Sequence, residues 1–114
     1  MATSVPAYIL GQAQKSFHAA ETADHPRKLM SEIALAALED AGIEPSAVDA
    51  VGCVDPLSWT YPELAKSVAA DMGCNKGVRE FWLPGGGTTP QDLTHEIAIA
   101  MDASEIDIAV IFGA

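Results

Sequence analysis

Phe81-Trp82-Leu83-Pro84-Gly85-Gly86-Gly87-Thr88-Thr89-Pro90-Gln91-Asp92-Leu93 carries a strand, a glycine loop and the first turn of a helix in one run. Phe81 to Leu83 are aromatic and aliphatic, and Pro84 ends them because it has no N–H to give to a ladder. The glycines allow a sharp turn or the close approach of another group. Thr89 is placed to cap the helix with its hydroxyl, and Pro90 suits the first helical position. Asp92 follows three residues later, where an acid favours the helix dipole. Such a loop is either a plain strand-to-helix turn or a seat for an anion, a phosphate or a reacting carbonyl oxygen.

Outward from this stretch the chain alternates. Ala7-Tyr8-Ile9-Leu10, stopped by Gly11, reads as a first strand, and 12–28 as a surface loop. A helix is predicted over 29–41, with Leu29, Ile33, Ala37 and Ala41 on one face, Met30, Ala34 and Leu38 beside them, and Gly42 as its cap. Val48 to Val54 is a second strand, ended by Asp55-Pro56. Pro62 starts a helix whose Leu64, Val68 and Met72 share a face before Gly73. Val78 to Leu83 is the third strand. The helix over 90–103 is apolar around most of its girth, with Leu93, Ile97, Ala98, Ile99, Ala100 and Met101, and such a helix wants burial on more than one side. Ile106 to Phe112 is a fourth strand. Near-continuous apolar strands alternating with helices define an α/β fold with a parallel sheet covered by crossover helices.

Composition narrows the function. With 114 residues, 49% of them hydrophobic, the chain suffices for one packed domain. Sixteen acids against six Lys and Arg give a net charge of −10, which excludes nucleic acid and anionic membrane surfaces as partners. No run approaches the roughly 20 apolar residues of a membrane span, and no basic-then-apolar leader opens the chain. Cys53 and Cys74 form no CxxC and no metal-ligand spacing with His18, His25 or His95, so no metal is expected and the setting is reducing and cytoplasmic. The glycines fail the dinucleotide fingerprint, because Pro90 stands where its last glycine belongs, and no Lys follows for a P-loop. Thr88 or Thr89 as nucleophile lacks a neighbouring base in the sequence, and the residue types favour a cap over a nucleophile. His95 is a candidate base or a solvated histidine, and Asp55 a site carboxylate or a turn former.

The order of parts resembles the N-terminal half of the thiolase superfamily, above all its acetyl-CoA acetyltransferase-like members. The stretches that carry it are Ala7 to Gly11, Leu29-Met30 with Ala36 to Gly42, Val48 to Val51, and Leu57-Ser58-Trp59 with Tyr61. Gly85-Gly86, Thr88-Thr89-Pro90-Gln91 and Ile108 to Ala114 complete it. The resemblance implies a βαβαβαβ half with a mostly parallel sheet in strand order 3-2-1-4, filling 1–114 as one partial domain. It implies a substrate loop at Gly85, Gly86, Gly87, Thr88 and Thr89, and acyl-CoA as substrate with no cofactor held by the fragment. Aligned on Gln91, the family's nucleophilic cysteine falls on Gly86, or on Gly87 with a one-residue slip, and neither can form an acyl-enzyme. The chain then reads as a fragment of an acyltransferase, inactive alone, which pairs with its copy through edge strand 79–83 and the helix over 90–103. The other reading is a non-catalytic coenzyme-A-binding or assembly module.

Overall fold

In the computed structural model, residues 6–16, 25–56 and 61–114 are described. The loop of Leu57, Ser58 and Trp59, and His18, lie outside them. The elements are α1 (Pro26–Ala41), a 3-10 turn at Pro45–Ala47, β1 (Ala50–Val54), α2 (Leu64–Met72), β2 (Arg79–Leu83), α3 (Thr89–Asp102) and β3 (Ala109–Gly113). Among the described residues the sheet has three strands, all parallel, in the order β2-β1-β3. The first crossover runs from central β1 out to β2 and the second runs back from β2 past β1 to β3, so with one crossover hand α2 and α3 land on opposite faces.

β1 shows how the sequence builds both layers. Val51 and Cys53 point into a core with Met30 and Leu38 of α1, Leu64, Val68 and Met72 of α2, and Val110 and Phe112 of β3. Ala50 and the α3 residues Leu93, Ile97 and Ala100 form the second core with Ile106. Gly52 lies on that second face, and a Cβ there would meet Ile97 Cδ1 at 2.8 Å and Leu93 Cδ2 at 3.2 Å. The missing side chain is what lets α3 lie so close to the sheet.

Two expectations are corrected. Ala7 to Leu10 is not a strand and pairs with none among the described residues, and Tyr8, Ile9 and Leu10 are 75%, 89% and 66% exposed. Instead Gly11 packs on the end of α1, where a Cβ would lie 2.7 Å from Ala37 O, and the Gln12 N–H donates to Asp40 Oδ2 at 3.0 Å. The strand order 3-2-1-4 therefore fails, because β1 pairs directly with β3 from Ala50↔Ala109 to Val54↔Gly113 and leaves no slot between them. Asp49 fixes that neighbourhood: its carboxylate accepts the Asp107 and Ile108 N–H groups at 2.8 and 3.0 Å, while its own N–H donates to Ile108 O at 3.0 Å.

Smaller shifts have local causes. α1 begins at Pro26, three residues before the predicted start, because proline takes the first helical turn without loss. Its buried stripe is Met30, Ser31, Ala34 and Leu38, one residue round from the expected face. Pro62 lies in a turn rather than in α2, which starts at Leu64 after Glu63 adopts φ 49°. α1 and α2 end as expected at Gly42 and Gly73, with φ 70° and 87°. α3 is buried on one side only, leaving Ile99 56% exposed.

Candidate functional site

Parallel strands bring their carboxyl ends to one edge, where open α/β sheets place ligands. There β1 gives way to Asp55 and β2 to the glycine loop, and the two are joined by the Asp55 N–H donating to Leu83 O at 3.1 Å. The Asp55 backbone thus lies beside Leu83, two residues before the glycine loop begins.

The loop is held by Thr89. Its hydroxyl, in a side chain only 8% exposed, donates to Pro84 O at 2.7 Å, and its N–H donates to Gly86 O at 3.2 Å. Thr89 is therefore the first residue of α3 and ties the loop together; the expectation that it caps the helix is corrected, since Thr88 holds the cap position. The Thr88 hydroxyl donates to Asp92 Oδ2 at 3.2 Å, and the Asp92 N–H to Thr88 O at 3.0 Å. Both hydroxyls are engaged in holding the loop shape, with no imidazole among these partners.

Neither Gly86 nor Gly87 has a positive φ. A Cβ on Gly87 would have no neighbour within 4 Å, and one on Gly86 would touch Thr89 Oγ1 at 3.2 Å. The turn does not require glycine at 87, whereas a side chain at 86 would press on the Thr89 hydroxyl; both residues are exposed. What the loop offers is bare backbone at the start of a 14-residue helix.

The other candidates are dispersed. His95 lies on the outer side of α3, lining a shallow groove of about 490 Å³ with Pro90, Gln91, Thr94 and Ala98. A larger open cleft of about 700 Å³ lies away from the glycine loop, between α1 and α2, lined by residues including His25, Arg27, Ser31, Tyr61 and Asp71. At its base Arg27 binds Asp71 bidentately, and the Ser31 hydroxyl donates to Arg27 O at 2.9 Å. These residues were not among the sequence candidates; Arg27 and Asp71 are 44 positions apart, and no local pattern joins them. Cys53 is a core residue whose thiol is pushed up to about 12, first by burial and then by the Asp55 charge. Burial also raises Cys74. Among the described residues no group of three or more His, Cys, Asp or Glu could hold a metal ion, and no helix is long and apolar enough to cross a membrane.

No family model and no curated protein sequence matches the chain. Solved structures do. A monomeric SCP2-thiolase like protein type 1 from Mycobacterium smegmatis superposes with a TM-score of 0.76 and 28% identity over 92% of this chain and 22% of that one. OleA of Xanthomonas campestris with bound lauric acid and lauroyl-CoA gives 0.73 and 20% over 79% and 27%. OleA carrying cerulenin gives 0.72 and 17% over 80% and 28%. The chain spans about a quarter of the length of these structures. From the β2–loop–α3 unit to these superpositions, the findings agree: the chain has a thiolase-like fold.

Proposed function

We propose that residues 1–114 are the N-terminal half of a thiolase-like, coenzyme-A-linked acyltransferase of the acetyl-CoA acetyltransferase kind, a single partial domain inactive by itself. The observation that carries this reading is the pair Gly86 and Gly87, which bear no side chain on an exposed loop that has open room for one at Gly87. In the whole protein an acyl thioester lies against Gly85–Thr89, its carbonyl oxygen near the start of α3, where the dipole favours negative charge. With glycine at the nucleophile position no sulfur is present to take the acyl group. Any carbon–carbon bond chemistry then depends on groups outside this chain, including the base. The lauroyl-CoA bound by OleA supports a thioester as the ligand class. The two free thiols, Cys53 and Cys74, support a reducing, cytoplasmic setting. The test is cleavage of acetoacetyl-CoA by the purified chain. No turnover and an unchanged intact mass are expected, whereas turnover with an acyl adduct would overturn the reading.

The second reading, a coenzyme-A-binding or assembly module that pairs with its copy, rests on a different observation. Trp82 on the outer strand β2 is 52% exposed, and Ile99 on α3 is 56% exposed. An open, apolar strand edge is a template for pairing. Light scattering after gel filtration tests it: a dimer that Trp82→Arg converts to monomer supports pairing through β2. A monomer, the state of the SCP2-thiolase like neighbour, removes it.

A further inference from the structure

We draw no further inference here: the strongest candidate, the exposed apolar arm Tyr8-Ile9-Leu10 held beside the end of α1 at Gly11 and Gln12, is an unpartnered apolar surface, and nothing in the structure shows what covers it.

Discussion

Arg27 grips Asp71 with two parallel hydrogen bonds, Nε to Oδ2 at 2.7 Å and Nη2 to Oδ1 at 2.9 Å, and so fastens α1 to α2. The hydrogen bond from Arg27 holds the Asp71 carboxyl below the usual carboxylate range, against a smaller opposing effect of burial. A carboxyl depressed in the folded state contributes stability above its unfolded pKa and loses it as pH falls through the folded one. Asp71→Asn should therefore lower stability at neutral pH and change it little in acid, once the native carboxyl has taken up its proton. Both side chains are well exposed, at 45% and 34%, so the neutral-pH loss should be at most about 1 kcal/mol and shrink in high salt. Urea unfolding at neutral and at acid pH reads both.

Gly52 should resist substitution. An alanine Cβ would sit 2.8 Å from Ile97 Cδ1, and that flexible side chain must swing away. Gly52→Ala should cost about 1–3 kcal/mol, the range for overpacking a core. Because the clash involves Cδ1, Ile97→Val should relieve part of it, and the double variant should lose less than the sum of the singles. Additive losses would mean that Ile97 is not the obstacle.

Thr89→Val removes the hydroxyl bonded to Pro84 O while keeping the shape of the side chain. It should cost about 1–2 kcal/mol, because a partly buried carbonyl loses its donor. Thr88→Ala, at an exposed residue, should cost less. Thermal melts of the two variants rank them, and equal losses would contradict the structural role given to Thr89.

The two native thiols should be poor nucleophiles at neutral pH. Cys53 is buried and its thiol pushed up to about 12, so alkylation should await unfolding, while Cys74, raised less by its partial burial, should react slowly. Mass spectrometry after iodoacetamide, with and without denaturant, checks this. Rapid labelling of Cys53 in the native chain would show a core more open than described.

What could be read from the chain and what could not divides by range. Leu64, Val68 and Met72, or Leu93 and Ile97, recur at helical spacing, so their burial follows from positions a few residues apart. The three paired strands were equally legible, because Val51 and Cys53 sit in an apolar run with turn residues on either side. Tyr8-Ile9-Leu10 has the same local character, yet a strand needs a partner far along the chain, and the place beside β1 is held by β3. The sheet order was misjudged for that reason, since pairing of Ala50 with Ala109 is written in no short stretch. The places of the glycine loop and Asp55, at the ends of β2 and β1, could be read from the chain. The inward turn of Thr89 could not, because a threonine before a proline fits the cap and the first turn alike.

The central claim is that the loop keeps the shape of a nucleophile's seat and lacks the nucleophile. Incubation with acetyl-CoA followed by intact-mass and peptide analysis tests it directly, on the native chain and on Gly87→Cys, where a side chain meets nothing, and Gly86→Cys, where the Thr89 hydroxyl must give a little. A thiol at the start of α3 gains thiolate character from the helix dipole. The native chain should remain unmodified, and one of the variants should carry an acetyl group on its new cysteine. An acetyl group on the native chain, or variants acylated no more than Cys74, would contradict the account.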